Sequence, residues 1–361
     1  MAEVQLLGIT HYPPFGWADA HMAGIHHALM ADPAVPDEAK DPGHWPPEQQ
    51  AEWGDDGGVA AAAGHRATLI AGLDRVRAEL DAFDPDVIVV WGDDQYENFT
   101  EDLIPAMSVL AYPDREVFPY RTGVGERFPS YWADEGPDTS RLIRGRPDMA
   151  RDLAAGLLGA GFDIAYAYRP LHDDQLPHAF LNAVLFLDHD RRGFDWPVIA
   201  MPINCYGARV VAAHGAWRPF GDALELDPPS PNPSRLMDMG AAVARHFHDS
   251  PHRVTLLASS SWSHAFLVDH NWRMRPDTPA DRRLYEALVS GDLDTWEKVS
   301  TDDIVHAGQQ EVLNWFAVVG AARELGAELA WSEFVETWIF NSNKVFAAWT
   351  PVGRPTTGGE R

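Results

Sequence analysis

The sequence predicts an α/β protein: a single large domain with a central, mostly buried sheet flanked by helices. Three observations lead there. Short apolar runs rich in β-branched residues recur at 4–9, 87–91, 164–168, 198–203 and 254–259. They are near-continuously apolar rather than alternating, which is the pattern of strands covered on both faces. Amphipathic helical patterns fall between several of them, as βα units require.

Taken in order, the run at 4–9 opens the sheet, and the longest helix follows at 60–83, where Leu69, Leu73, Val76 and Leu80 are spaced by three and four and Pro85 stops the pattern. The second strand, 87–91, precedes a helix at 150–158, and the strands at 164–168 and 198–203 precede one at 236–247. The strand at 254–259 is followed by helices at 281–288 and 311–325. Segments 31–58 and 111–147 are long, broken by Pro and Gly, and carry tryptophans and tyrosines, so they are expected to be ordered lids. Segment 221–234 is proline-rich and irregular. A length of 361 residues also fits two ordinary domains, but no linker or internal repeat divides the chain. One catalytic domain over 1–350 is expected, with a flexible tail at 351–361.

Composition excludes several functions. Apolar residues make up 45% and charged residues 23%, enough for a sizeable core. Acidic residues outnumber basic ones 54 to 28, and the net charge of −26 repels nucleic-acid phosphates and anionic lipid headgroups. The single cysteine, Cys205, permits no intrachain disulfide and no cysteine-rich zinc site, so any metal must be held by nitrogen and oxygen. The opening residues lack a basic secretory signature, and no apolar stretch approaches the roughly 20 residues of a membrane span. A cytoplasmic location is expected.

In α/β sheets, ligands bind beyond the carboxyl ends of the strands. Here those ends read THYPP at 10–14, GDDQYENF at 92–99, LHDDQLPHAF at 171–180, PINCY at 202–206 and SSSWSHA at 259–265, with GQQEVLNW at 308–315 opening a late helix. Histidines beyond three strands and a later carboxylate form a ligand sphere suited to non-haem Fe(II), and equally to Zn(II) or Mn(II). Any one of these histidines alone is more often a structural hydrogen-bonding residue, and Glu311 alone would be a first-turn glutamate favoured by the helix dipole.

The ordered series THYPP, GDDQYENF, LPHAF, SSSWSHAF and GQQEVLNWFAVVGA resembles the class III extradiol ring-cleavage dioxygenases, the family of protocatechuate 4,5-dioxygenase, and most closely its 3-O-methylgallate dioxygenase-like branch. The resemblance runs from about residue 5 to 347. It implies a non-haem Fe(II) enzyme that opens a catechol- or gallate-type ring with O2, holding the metal through two histidines and a glutamate. By position, His11 and Glu311 match ligands, His264 matches the active-site base and His178 the acid-type histidine. A small aromatic and O2 are the implied partners, and a homo-oligomer is in keeping with the family.

The second metal histidine is missing, because Gln95 stands where it would fall. An amide oxygen is a poorer Fe(II) ligand than imidazole. His65, near the start of the helix after the first strand, is therefore expected to complete a set of His11, His65 and Glu311. Gln95 and Asp94 would then orient these ligands, or Gln95 would itself be the third. Tyr12, Trp262 and Asn204 are the expected substrate contacts, although Tyr12, Trp262, Trp17 and Trp45 also suit plain packing. Arg169, Arg209, Arg273 and Lys344 are candidate partners for a substrate carboxylate. Two other readings stand beside the dioxygenase: a metal-dependent hydrolase on the same scaffold, and a metal-free binding protein.

Overall fold

The computed structural model describes residues 3–121, 128–172, 174–215, 220 and 225–353. Eleven strands are found among them: β1 Glu3–Ile9, β2 Val87–Asp93, β3 Ser108–Leu110, β4 Arg115–Val117, β5 Arg141–Ile143, β6 Ala165–Ala167, β7 Val198–Ile203, β8 Arg253–Ser259, β9 Leu329–Val335, β10 Lys344–Trp349 and β11 Val352–Gly353. The six longest described helices are α1 Val59–Phe83, α2 Pro147–Gly159, α3 His178–Leu187, α4 Pro233–His248, α5 Thr278–Ser290 and α6 Leu313–Leu325.

Nine strands make one sheet in the order β6-β3-β7-β2-β8-β1-β10-β9, with β11 on β1, while β4 and β5 form a separate hairpin. The centre, β7-β2-β8-β1, is parallel, and β10 and β9 add to it antiparallel. β1 and β8 pair in unbroken register from Glu3↔Arg253 to Ile9↔Ser259, so the two strands end level and their following loops start side by side. Both faces are covered. Val4, Leu6, Val89 and Trp91 pack toward α2, α4 and α6, while Leu7, Ile9, Ile88 and Val90 pack toward α1 and α3. Helices α4 and α6 approach so closely that a Cβ on Gly240 would lie 1.9 Å from the Ala317 carbonyl oxygen, which is why that position has no side chain.

The expected α/β architecture is present, with particular differences. The 164–168 strand shrinks to Ala165–Ala167 on the sheet edge, with Tyr166 and Tyr168 half exposed. Helix α3 is not among the expected helices, because every one of its residues is buried, leaving no polar face to mark a helical period. The β9–β10 hairpin was also unanticipated. Glu311 precedes its helix, in a 3-10 turn over Gln310–Val312. Segment 31–58 is ordered by helical turns at Asp37–Lys40 and Pro47–Trp53. Segment 111–147 carries β4 and β5, its residues 122–127 lying outside the described set, as do 221–224 of the proline-rich stretch. The expected tail begins too early: Val352 and Gly353 pair with Val4 and Glu3, and 354–361 lie outside the described residues. No described helix is long and apolar enough to cross a membrane.

Candidate functional site

The carboxyl ends of β1, β2 and β8 converge on a buried polar cluster. His11 lies two residues beyond β1, and its Nδ1 is 2.7 Å from the Ser259 carbonyl at the end of β8. A carbonyl can only accept, so Nδ1 carries the proton and the Nε2 lone pair is free. That Nε2 lies 3.3 Å from Glu311 Oε2 and 3.6 Å from Asp93 Oδ1. Asn182 of α3 donates to the His11 carbonyl at 3.1 Å, fixing the backbone there as well.

Glu311 is set by its other oxygen. Tyr206 donates to Oε1 at 2.8 Å, Gln95 Nε2 reaches the same oxygen at 3.2 Å and the Tyr206 hydroxyl at 2.6 Å, and His264 Nε2 lies 3.3 Å away. Oε1 is thereby crowded with partners and Oε2 faces His11 with none. Both Asp93 oxygens are likewise buried without a hydrogen bond of normal geometry. Burial lifts the Asp93 carboxyl to about 6 and the Glu311 carboxyl well above its usual range. Three buried acceptor oxygens without a hydrogen-bond partner and an imidazole lone pair converge within these distances, which is the arrangement a divalent cation satisfies.

Two histidines flank the cluster in opposite settings. His264 is held neutral by burial, its pKa pushed down to about 3. His178, at the start of α3, sits edge-on to His11 with ring centroids 5.1 Å apart. Burial opposes its charge, but Glu97 binds both its ring Nδ1, at 3.1 Å, and its backbone N–H, at 3.0 Å, and the net result is a pKa pushed up to about 10. His11, Asp93 and His178 offer ligand atoms that all lie within 4.8 Å of one another.

Backbone pins hold the loops. Asp281 of α5 accepts from the Ser263 backbone N–H at 3.0 Å, from Gln309 at 2.7 Å and from Asn343 at 2.8 Å, tying together the His264 loop, the Glu311 turn and the start of β10. Gly308, at φ +64°, is required because a Cβ there would come within 2.8 Å of the His264 carbonyl oxygen.

Of the residues singled out from sequence, His11, Glu311, His264, His178 and Gln95 are brought together. His65 is not. Its ring stacks on Phe340 at 4.6 Å and meets Tyr12 edge-on at 6.2 Å, and no contact with His11 or Glu311 is found among the described residues. The reason is its place: α1 begins at Val59, so His65 lies in the second turn, among the side chains that pack the helix onto the sheet. Asp94 orients no ligand directly. It accepts the backbone N–H groups of Glu97 and Asn98, shaping the turn that presents Glu97 to His178.

The expected substrate contacts fare differently. Trp262 is fully buried among Trp296, Trp315 and Tyr285, which is packing. Tyr12 is buried, with the Lys344 ammonium 3.7 Å from its ring centroid. Asn204 uses its side-chain oxygen to accept the Gly207 N–H, closing the turn that carries Tyr206. Arg209 and Arg273 both pair with Asp269, and Arg169 lines a separate, largely apolar pocket near β6. Asp93, Glu97 and Tyr206 were missed as site residues. Asp93 and Glu97 lie within the GDDQYENF segment, whereas nothing in sequence marks Tyr206 beyond its place after β7.

No family profile matches the sequence. The chain is similar to curated proteins named 2,3-dihydroxyphenylpropionate/2,3-dihydroxicinnamic acid 1,2-dioxygenase. It is 26% identical to that of Burkholderia vietnamiensis over 304 residues, covering 75% of this chain and 88% of the relative. The match to that of Paraburkholderia phymatum is 24% over 305 residues, 75% of this chain and 88% of the relative. The match to that of Rhodococcus globerulus is 23% over 289 residues, 72% and 83% respectively.

Proposed function

We propose that this chain is a metal-dependent extradiol dioxygenase that opens the ring of a catechol-type aromatic and inserts both atoms of O2. One observation carries the reading: His11 Nε2 and Glu311 Oε2 lie 3.3 Å apart beside the unpartnered Asp93 carboxylate, between one neutral and one protonated histidine. The dioxygenase names of the relatives point the same way.

The ligands proposed are His11, Glu311 and Asp93, with Asp93 in the position first assigned to His65. Ferrous iron is the metal of choice, and Mn(II) or Zn(II) suit the same nitrogen and oxygen donors. Iron held by these residues would supply a redox-active Lewis acid for the diol and O2. His264, neutral in its buried setting, accepts a phenolic proton as the diol binds. His178, kept charged by Glu97, returns a proton as the ring opens. Gln95 and Tyr206 hold Glu311 Oε1, so the carboxylate keeps Oε2 directed at the metal position. Burial of His11, Asp93, His264 and Glu311 limits the access of water to the reacting groups.

The test is anaerobic loading with Fe(II), followed by oxygen uptake with catechol, gallate and 3-(2,3-dihydroxyphenyl)propionate. Uptake with a yellow ring-opened product, absent in Glu311→Ala, is expected. An iron-loaded protein that consumes no oxygen across this panel would sink the proposal. The hydrolase reading draws on Gln95 and Asp93, which make an oxygen-rich site that equally suits water activation; ester or amide cleavage without oxygen uptake is its signature.

A further inference from the structure

Apart from the buried cluster, the molecule carries a groove of about 800 Å³, within the range of small-molecule sites. None of His11, Asp93, His178, His264 or Glu311 lines it. Its walls include three indoles, Trp45, Trp272 and Trp338, and one arginine, Arg275. We propose that this groove is a second ligand site, which takes an aromatic monocarboxylate with its ring among the tryptophans and its carboxylate on the Arg275 guanidinium.

Arg275 is the feature that requires explanation. It is half-buried, and among the described residues no carboxylate or hydrogen-bond acceptor lies in range of its guanidinium. Most other arginines in this acidic chain have found a carboxylate, including Arg273 two residues earlier, which reaches Asp269 at 2.7 Å. Two acids also line the groove, and neither forms an ion pair with Arg275 among the described residues. Asp277 caps the Ala280 N–H at 3.2 Å and faces His270 at 3.7 Å, and Glu38 is exposed. A partly desolvated guanidinium without a partner is an unused fork for a carboxylate.

The backbone that presents it is strained. Trp272 and Arg273 both have left-handed conformations, with φ of +60° and +62°. Such conformations are unfavourable for residues with a side chain and persist where the surroundings impose them. Here the surroundings do: Arg273 N–H donates to Val268 at 3.0 Å, Asn271 donates to the Arg275 carbonyl at 2.7 Å, and Gln49 donates to the Met274 carbonyl at 3.2 Å. The result is to leave Trp272 42% exposed at the groove rather than buried. The aromatic walls select a flat apolar body, the single cation selects one negative charge, and the −26 net charge of the chain disfavours a dianion such as phosphate.

The site does not depend on the proposed ring cleavage, and its test needs no turnover. The probe is 3-phenylpropionate, which lacks the diol of a catechol, titrated calorimetrically and by tryptophan fluorescence, with Glu311→Ala separating the groove from the catalytic cluster. Saturable one-to-one binding is expected, roughly tenfold weaker or worse both for Arg275→Met and for the neutral analogue 3-phenylpropan-1-ol. Binding should be unchanged in Glu311→Ala. The proposal is overturned by absence of saturable binding, by equal affinity for the acid and the alcohol, or by loss of binding in Glu311→Ala. Should Arg275→Met melt abnormally, the acid-against-alcohol comparison on the unmodified chain carries the decision.

Discussion

The Glu311 cluster and the Arg275 groove adjoin one polar seam. On one side Asp281 grips Ser263 and Gln309, next to His264 and Glu311; on the other, Asn343 binds both Asp281 and Thr278, and Thr278 is a wall of the groove. Across this seam the chain uses its charges in opposite ways. The cluster gathers carboxylates in a buried interior, where their ionisation is opposed by burial, only partly offset by the His178 charge, and favoured further by an added cation. The groove carries a half-buried guanidinium that has no ion pair among the described residues, which an added anion completes. Both are polar groups left incomplete by the protein itself, and the difference lies in what completes them: a cation among buried oxygens and an imidazole on one side, an anion on a half-buried guanidinium on the other.

The comparison breaks most decisively at the metal position. Glu311→Ala removes the oxygen facing His11 and is expected to lower iron content, measured by elemental analysis, by more than the roughly 10–100-fold typical of losing a group that only orients a ligand. His65→Gln should leave iron content unchanged. Iron lost from the His65 variant and retained in the Glu311 variant would reverse the assignment. Next in size is the seam. Asp281→Ala strands the donors of Ser263, Gln309 and Asn343 in the interior, and a loss of about 2–4 kcal/mol in chemical denaturation is expected. A smaller loss would mean that the two regions are not held by this residue. Tyr206→Phe is subtler: it removes the hydroxyl that donates to Glu311 and accepts from Gln95 without changing the packing, so iron affinity should weaken roughly tenfold while the melting temperature stays close to that of the parent. An unchanged affinity would show that Gln95 alone fixes Glu311.

How far the sequence reveals these features depends on whether a residue's role is local. The central strands were legible because continuous burial on both faces leaves a continuous apolar run, and α1 because its buried positions recur at helical spacing. His11 stood out because it follows the end of β1 and Glu311 because it lies at the opening of a late helix, both within motifs that resemble the extradiol family. Helix α3 was hidden by its own complete burial, and β10 by joining the sheet antiparallel, outside the βα rhythm. His65 was misjudged because the position of a helix start along the chain does not say which way a second-turn side chain faces. Tyr206 was invisible for the opposite reason: its hydroxyl matters only because Asn204 bends the chain back toward Glu311, a contact spanning 105 residues. Arg275 looked like any surface arginine, since the absence of a partner is a property of the folded surroundings.

The smallest effect concerns the support of the groove wall. His26 packs edge-on against Trp45 at 5.4 Å and Trp53 at 5.3 Å, is 2% exposed, and has a buried Nε2 with no partner. Burial, with a smaller contribution from His27, holds its pKa down at about 3, against 6.5 for an unburied histidine. The folded chain therefore refuses a proton that the unfolded chain accepts once the pH drops below 6.5, and by linkage stability falls from there down to about 3. Above 6.5 both states are neutral at this position and it contributes no slope. Many other groups titrate over the same range, so the informative quantity is a difference: the stability of the parent minus that of His26→Leu, measured by denaturation at several pH values. That difference should be flat above pH 6.5 and move steadily against the parent as the pH falls toward 4, with fluorescence of the Trp45 region following it. A difference that stays constant over the whole interval would show that His26 exchanges its proton freely in the fold, and that the wall beside Arg275 opens to water.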